Sequence, residues 1–442
     1  MREFAGDWRS SSKRGLRSAV IGAGPSGITA AKNLIQAGLT DLVVFEQSDQ
    51  VGGNWVFRPE PGHSSVYETT HIISSKSLSA YEDFPFPADY PDYPSHGQLK
   101  AYFDAYAQHF GVLPYVRFHT EVLEARSSSD GTWRLRTRSP AGEQTEHFDW
   151  LFVCNGHHWD PRMPEYPGTF DGELLHAHGY KRAAPFAGKR VLVIGGGNSA
   201  ADIAVETSRV AARVAISMQR GYWFVPKFLF GLPSDVPYVK LAWLPGFLRQ
   251  KVMKLVLLVI QGRNARYGLQ EPEGNPLEHH PTINSELLYF IRHGEIEPKV
   301  GVARFDGHTV HFTDGTRADF DVVVAATGYR MTFPFFDLAF VDYRDATKIP
   351  LYRKMFHAEH ETLFFIGLFQ PLGCIWPLAD HQARLAVKFM QGKWQRPADM
   401  QAAIQHELAH PHFRFQPRPR HAAEVDYATF RKELLKELAR AT

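Results

Sequence analysis

The chain has 442 residues, 44% hydrophobic and 22% charged, and a length roughly two to three times that of a typical domain predicts two domains. Lys and Arg number 49 against 47 Asp and Glu, and the basic residues are scattered, which argues against a nucleic-acid partner. The two cysteines, Cys154 and Cys374, lie far apart, so the composition argues against a disulfide framework, a zinc cluster and a dithiol redox centre and favours a cytoplasmic setting.

No segment is predicted to cross a membrane. The N-terminal stretch Met1–Leu16 lacks the apolar core of a secretory signal, and we expect it to be frayed. The most apolar stretch, Val252–Ile260, contains Lys254 and is too short to span a bilayer. We expect a packed helix there, although the segment could also lie on a lipid surface or line a substrate pocket.

A nucleotide-binding unit is predicted near the N-terminus. An apolar strand over Arg17–Gly22 enters a glycine turn, a helix follows over Ser26–Gln36, and Asp41–Glu46 forms the next strand. In Gly22-Ala23-Gly24-Pro25-Ser26-Gly27 the three glycines permit a tight turn, close approach of a pyrophosphate and close helix–strand packing. Glu46 stands where a ribose hydroxyl pair needs an acceptor. The unit therefore predicts a dinucleotide site.

A second feature of this unit is the run Gly52-Gly53-Asn54-Trp55. Two glycines allow the backbone to approach a flat cofactor, and the ring of Trp55 could close the site or belong to the core.

The same pattern recurs later in the chain, with a strand and glycine turn over Lys189–Gly197, a helix from Asn198 to about Ala212, and a strand over Arg213–Ser217. The fingerprint Gly195-Gly196-Gly197-Asn198-Ser199-Ala200 ends in alanine, and Arg220 stands beyond the second strand without an acidic residue at the ribose position. An arginine there can bind a 2′-phosphate, so NADPH is favoured over NADH.

Two more apolar strands, Trp150–Gly156 and Asp321–Gly328, also end in glycine turns. They predict that a second unit is inserted into the first, which resumes at Leu363–Gly367. The expected fold class is α/β, with two Rossmann-like dinucleotide-binding domains, the NADP domain inserted into the flavin domain. The expected ranges are 1–166 for the first part of the flavin domain, 167–328 for the NADPH domain with an aromatic-rich insertion 222–281, and 329–442 for the returning part and C-terminal helices, including a surface helix over Tyr427–Arg440.

Two fingerprints without a redox-active cysteine pair indicate a flavin in the first site that is reduced by a nicotinamide from the second. The electrons must then pass to oxygen, a quinone or a protein acceptor.

A motif between the fingerprints bears on that choice. It reads Phe170-x-Gly172-x-x-x-His176-x-x-x-Tyr180 and resembles the identifying motif of the flavin-containing monooxygenases; Tyr180 differs from the Trp of the related type I Baeyer–Villiger monooxygenases. The resemblance extends over nearly the whole chain, through Gly22–Gly27, Gly53–Trp55, Ser74–Lys76, Asp83–Pro87, Gly195–Asp202 and Ala326-Thr327-Gly328-Tyr329.

The resemblance implies roles for individual residues. It implies FAD contacts at Gly22, Gly24, Pro25, Ser26, Gly27, Glu46, Gly53, Asn54, Trp55 and Ser74. It implies NADPH contacts at Gly195, Gly197, Asn198, Ser199, Ala200, Ala201, Asp202 and Arg220. The motif residues Phe170, Gly172, His176, Tyr180, Thr327 and Gly328 are implied to shape the region that links the domains.

One position departs from the family pattern. Family members commonly carry an Asn just before the Ser-Ser-Lys stretch, where it stabilises the oxygenated flavin, whereas this chain has Ile73. An isoleucine cannot donate a hydrogen bond, and His71 is a candidate for the missing donor at the flavin face. The substitution could instead be an altered packing contact.

The family's activity is the implied function: NADPH reduces FAD, and O2 forms a C4a-hydroperoxyflavin that transfers one oxygen to an amine or a sulfide. Three alternatives stay open: Baeyer–Villiger oxygenation of a ketone, an uncoupled NADPH oxidase that releases hydrogen peroxide, and a redox-sensing flavoprotein. The aromatic residues of the insertion, among them Trp223, Phe228 and Trp243, are expected to wall a substrate channel for bulky apolar molecules or to form a homodimer interface.

Overall fold

The computed structural model describes residues 16–276, 278, 280–413, 415 and 418–441. The leader expected over Met1–Leu16 therefore lies, apart from Leu16, outside the described residues.

The first sheet has five parallel strands. In spatial order they are Leu363–Phe365, Trp150–Val153, Ser18–Ile21, Leu42–Phe45 and Val116–Arg117. The first four are buried along their whole length, which explains why all their residues except Ser18 are apolar, because helices and loops cover both faces of a parallel sheet.

The second sheet also has five parallel strands. In spatial order they are Ile296–Lys299, Arg213–Ser217, Arg190–Ile194, Val322–Ala325 and Glu173–His176.

The helices of the described residues are α1 (Pro25–Gln36), α2 (Lys76–Ser79), α3 (His96–His109), α4 (Asn198–Ser208), α5 (Asp235–Lys240), α6 (Gly246–Ile260), α7 (Leu287–Arg292), α8 (Trp376–Met390), α9 (Met400–Ala409) and α10 (Tyr427–Ala439). α1 and α4 each open directly after a glycine at their N-cap, as both fingerprints predict. α10 closely matches the helix expected over Tyr427–Arg440.

The chain leaves the first sheet after Trp150–Val153, builds the second sheet and returns at Leu363–Phe365. The outgoing and returning segments run side by side, because Asp160–Pro161 pairs with Tyr329–Arg330 in antiparallel fashion. This topology confirms the expected α/β class with one Rossmann unit inserted into another.

Smaller sheets complete the architecture. Two antiparallel three-stranded sheets comprise Glu121–Ser127, Trp133–Ser139 and Gly142–Phe148, and Val302–Asp306, Thr309–Phe312 and Arg317–Asp319. Three short pairs join Phe224–Val225 to Thr282–Ile283, Phe228–Leu229 to Leu232–Pro233, and Gln370–Pro371 to Glu424–Val425.

Helix α4 ends earlier than the apolar spacing suggests, at Ser208 instead of about Ala212. The Thr207 hydroxyl donates to the Ile203 carbonyl at 2.6 Å and the Ser208 hydroxyl to the Val205 carbonyl at 2.9 Å. Such hydrogen bonds compete with the helical ladder. The Ala212 N–H then bonds to the Lys189 carbonyl, which directs the chain into the next strand.

Helix α6 is packed on one side only. Leu257 and Met253 contact Trp223 and Val225, whereas the opposite face, with Leu255 and Val259, is exposed at 64% and 76%. Within the described residues, no helix is both long and apolar enough to cross a bilayer.

Candidate functional site

A cavity of about 310 Å³ opens at the carboxyl edge of the first sheet, where open α/β sheets bind ligands. Most residues of the predicted flavin site line it, namely Gly22, Gly24, Pro25, Ser26, Glu46, Gly53, Asn54 and Trp55. Gly27 lies just beneath, where a Cβ would stand 1.8 Å from the Gly22 carbonyl oxygen. The loop and the α1 N-terminus therefore form a cradle that fits a pyrophosphate.

Glu46 is held at the wall of this cavity by the backbone. Its carboxylate accepts hydrogen bonds from the N–H groups of Ala23 and Ser48, both at 2.8 Å, and the residue is buried. The contact with Ala23 joins the end of the second strand to the glycine loop. This geometry fixes the carboxylate at the cavity wall, at the position where the fingerprint predicts an acceptor for a ribose.

Two tryptophans stand together in the cavity. The rings of Trp55 and Trp376 meet edge to face with centroids 5.7 Å apart, and both line the cavity. Asn54 is fixed nearby, since its side-chain oxygen accepts a hydrogen bond from the Ser65 N–H at 2.7 Å. These aromatic walls suit a flat conjugated group.

One group of residues that line the cavity was not predicted as part of the site, namely Asn155, Gly156, His157, His158 and Trp159. Burial lowers the pKa of His157 to about 4, so its imidazole is neutral near pH 7, whereas His158 is exposed. Their position directly after a buried strand of a parallel sheet was the available signal, because the carboxyl ends of such strands border the ligand site.

The second glycine loop is tightly enclosed. A Cβ on Gly195 would lie 2.4 Å from the Ala326 carbonyl oxygen, and one on Gly196 would lie 2.2 Å from the Tyr222 ring. The two residues that follow the insertion bind this loop: the Thr282 hydroxyl donates to the Gly196 carbonyl, and the Asn198 side chain accepts from the Ile283 N–H. A side chain at either position would clash with these neighbours, so both positions require glycine.

Two arginines approach this loop. The Arg220 guanidinium lies 5.2 Å from the centre of the Tyr222 ring. The guanidinium of Arg420, from the C-terminal part of the chain, lies against Gly197, the N-cap of α4, with its nearest nitrogen 3.2 Å from a Cβ built there. The fingerprint gave no indication of Arg420, because its contact depends on the tertiary fold. A cation at a helix N-terminus, as Arg420 is, suits an anionic ligand.

The first turns of α4 face inward. Ala200 and Ala201 are fully buried, whereas Ser199 and Asp202 are half-buried. Asp202 accepts hydrogen bonds from the Tyr67 hydroxyl at 2.8 Å and the Asn284 amide at 2.6 Å. The structure therefore places Asp202 in a bridge from the first unit to α4.

The motif residues from 170 to 180 lie in the second unit, and the ring of Tyr180 contacts that of Tyr67 in the first unit, with centroids 5.5 Å apart. The Phe170 ring lies 5.5 Å from that of Phe305, and a Cβ on Gly172 would stand 2.5 Å from the Asp321 carbonyl oxygen. Burial lowers the pKa of His176 to about 4. The Tyr180 hydroxyl donates to Glu206 on α4 at 2.8 Å. None of the described motif residues lines a described cavity.

The returning segment is fastened to the outgoing one. The Thr327 hydroxyl donates to the Arg162 carbonyl at 2.5 Å, and the Arg162 N–H donates to the Gly328 carbonyl at 3.0 Å. Gly328 has a φ of +87°, which favours glycine. Thr327 and Gly328 thus fix the crossover between the units.

A second cavity of about 60 Å³ lies beside the first. Leu372 and Gly373 line it, whereas Ile375 and Trp376, a few residues on, line the first cavity. Ile73 and Ser74 also line the second cavity, and the hydroxyls of Ser74 and Ser79 are 2.8 Å apart. The structure thus places Ser74 and Ile73 on the wall of a neighbouring chamber.

His71, the other candidate at the flavin face, is exposed. Its Nδ1 lies 2.8 Å from the Thr69 carbonyl oxygen, and it lines neither cavity. The insertion does not form the expected aromatic wall of a channel with the following side chains, which are exposed: Phe228, Phe230, Trp243 and Phe247. The insertion residues that line the second cavity are instead Val225, Ser234, Asp235, Tyr238, Met253, His280 and Pro281.

The two glycine loops, each at the carboxyl edge of its own parallel sheet, define a flavoprotein oxidoreductase with one site for FAD and one for NADPH. Comparison with known proteins gives the family. The model of the flavin-binding monooxygenase-like family matches residues 15–441, and the chain belongs to this family. It is a flavin-dependent monooxygenase.

Individual relatives of this family align with the chain over most of their length. The chain is 35% identical to flavin-containing monooxygenase 5 of Rattus norvegicus over 444 residues, which cover 95% of this chain and 82% of the relative. It is 36% identical to the N-oxide-forming dimethylaniline monooxygenase 2 of Rattus norvegicus over 400 residues, 86% of this chain and 74% of the relative. The fold also matches the S-allyl-L-cysteine S-oxygenase of Allium sativum, with a TM-score of 0.71 at 23% identity over 96% of this chain and 88% of that one.

Proposed function

We propose that the enzyme transfers one oxygen atom of O2 to the nitrogen of an amine or the sulfur of a sulfide, with FAD in the first cavity and NADPH at the second glycine loop. The observation that carries this proposal is the second cavity, a small, largely apolar chamber one short segment away from the aromatic walls of the first. When bound, the flavin reduced by NADPH supplies the chemistry that activates oxygen.

The residues of the second cavity would provide positioning and exclusion of water. Five aliphatic side chains line it, those of Ile73, Val225, Met253, Ile283 and Leu372. Apolar walls keep bulk water away from reacting atoms. Cys154 and Cys374 are buried and unpaired, which supports a small diffusible molecule over a disulfide as the final acceptor.

At the second loop, the proposed contacts with NADPH are electrostatic and backbone contacts. We propose that Arg220 binds the 2′-phosphate and Arg420 the pyrophosphate, beside the α4 N-terminus. Ser199 lies in the same first turn, whereas Ala200 and Ala201 act by allowing close packing. Asp202 is proposed to position α4 through Tyr67 and Asn284.

The proposed domain boundaries remain 1–166, 167–328 and 329–442. They are supported by the antiparallel pair Asp160–Pro161 and Tyr329–Arg330, which brings the two crossovers together. We also propose a cytoplasmic setting, since both thiols are free and buried, and a homodimer that covers the exposed apolar face of α6.

An uncoupled NADPH oxidase is the second candidate function. Ile73 lines the second cavity and offers no hydrogen-bond donor there. Without such a donor, oxygen reduced at the flavin would leave as hydrogen peroxide more readily.

The test is a balance of substrates and products for the holoenzyme. NADPH oxidation, O2 uptake, hydrogen peroxide and organic product are measured together with a tertiary amine, a methyl sulfide and a cyclic ketone, under ¹⁸O2. We expect one labelled oxygen in the N-oxide or sulfoxide for each NADPH consumed. A labelled ester or lactone alone would establish the Baeyer–Villiger alternative, and stoichiometric peroxide with every substrate would establish the oxidase.

A further inference from the structure

One carboxylate in the second cavity has no counter-charge. Asp235, the first residue of α5, lines the cavity, and its Oδ2 accepts a hydrogen bond from the Ser75 N–H at 2.6 Å. Its Oδ1 is buried and has no hydrogen-bond partner among the described residues. A buried acceptor without a donor is costly, and the cost is recovered when a ligand supplies the donor.

The other titratable side chains described along this cavity are already paired. The Tyr238 hydroxyl donates to Asp426 at 2.6 Å, and His280 Nδ1 lies 3.2 Å from Glu424. No Lys or Arg is among the described residues that line the cavity. The electrostatic character of the chamber is therefore set by Asp235, and it favours a cation.

We propose that Asp235 is a specificity-determining residue, whose Oδ1 binds the N–H of a protonated alkylamine and discriminates in favour of such amines over neutral sulfides. This inference rests on the proposed monooxygenase function of the same site. The aliphatic walls contact the alkyl groups, and the cavity of about 60 Å³ fits a small amine or the substituted end of a larger one.

The same contact prepares the nitrogen for oxygenation. The N–H bond of the ammonium breaks, its proton passes to Asp235 Oδ1, and the freed lone pair on nitrogen forms the new N–O bond. The enzyme's activity supplies the oxygen atom from O2 and the electrons from NADPH, and the second atom of O2 leaves as water. Burial raises the pKa of the Asp235 carboxyl, which favours its acceptance of this proton.

The test uses a matched pair of probes, the dimethylethylammonium ion and ethyl methyl sulfide, on the FAD-loaded enzyme. The variant D235N keeps an oxygen for the Ser75 N–H and removes the charge. The control D104N makes the same change on the exposed surface of α3. Binding is measured by calorimetry, and KM and kcat are measured for both probes.

We expect D235N to weaken ammonium binding and raise the amine KM at least tenfold, with sulfide binding and turnover within twofold of the wild type and D104N unchanged throughout. Equal losses for both probes in D235N, or no loss for the ammonium, would overturn the proposal. The wild type alone also tests it if D235N does not fold, because equal affinity for the two probes contradicts a charge-selective site.

Failure of the proposed function has a different signature. In that case neither probe is oxygenated by the wild type, while calorimetry still detects ammonium binding that D235N abolishes. If D235N instead oxygenates both the sulfide and the amine with wild-type kinetics, the monooxygenase function stands and the role of Asp235 is refuted.

Discussion

The Tyr180 hydroxyl donates a 2.8 Å hydrogen bond to the Glu206 carboxylate on α4. Tyr180 is fully buried, and Glu206 also accepts from the Thr69 hydroxyl of the first unit. The last residue of the motif thus binds α4 through the Glu206 carboxylate, which also accepts a hydrogen bond from the first unit.

Replacement of this tyrosine is expected to cost stability. Y180F leaves the Glu206 carboxylate without its buried donor, a loss of about 1–3 kcal/mol in the free energy of unfolding. Denaturant unfolding of the FAD-loaded protein measures it. Y289F removes the hydroxyl of an exposed tyrosine and should stay within about 0.5 kcal/mol of the wild type. Equal stability of Y180F and Y289F would contradict the anchoring role.

Glu206 also predicts a dependence of stability on pH. Burial raises the pKa of its carboxyl to about 7, from 4.5 for a free side chain, and the nearby Asp202 adds to the shift. Between these values the folded state binds more protons than the unfolded state, so the free energy of unfolding falls as the pH rises through this window.

The variant E206Q removes this titration. In the wild type, Glu206 should lower the free energy of unfolding by no more than about 3 kcal/mol between pH 4.5 and 7. E206Q should not show this fall. Because the hydrogen bond from Tyr180 lowers the pKa of Glu206, Y180F should extend the fall to higher pH. Parallel curves for the wild type and E206Q would refute the assignment.

Gly27 is predicted to be essential for flavin binding. In G27A the new Cβ would lie 1.8 Å from the Gly22 carbonyl oxygen, so the loop must move away from its cradle. We expect flavin affinity to fall at least tenfold, measured by the flavin absorbance of the purified protein and by fluorescence titration. G62A adds a Cβ where nothing lies within 4 Å and should retain flavin. Full flavin content in G27A would contradict the proposed site.

The sequence predicted the fold to the extent that buried parallel strands and glycine turns can be recognised locally. Trp133–Ser139, by contrast, alternates buried and exposed residues and was not predicted, although its apolar and basic residues alternate as well. The position of Glu46 could be predicted from its spacing after the glycine loop. The positions of Asp235 and Arg420 could not be predicted, since their neighbours lie far away in sequence and only the tertiary structure brings them to a cavity or a helix N-terminus.

The two arginines at the second loop should affect different parts of the nicotinamide cofactor. R220Q removes a charge proposed to bind the 2′-phosphate, so kcat/KM should fall at least tenfold with NADPH and stay nearly constant with NADH. R420Q removes a charge beside the α4 N-terminus, where both cofactors have their pyrophosphate. It should reduce kcat/KM for both by similar factors. Steady-state flavin reduction measures these values, and an identical pattern in the two variants would contradict the assignment.

Ile73 offers a test of coupling between NADPH oxidation and oxygen transfer. It lines the second cavity at a position resembling that of the family's common asparagine. I73N places amide donors on that wall, and we expect the fraction of NADPH electrons recovered as hydrogen peroxide to fall at least twofold in the presence of an amine. I73V keeps the wall apolar and should leave this fraction unchanged. Unchanged peroxide release in a fully flavin-loaded I73N would mean that Ile73 is a packing residue and that protection of the reaction depends on other groups of the cavity.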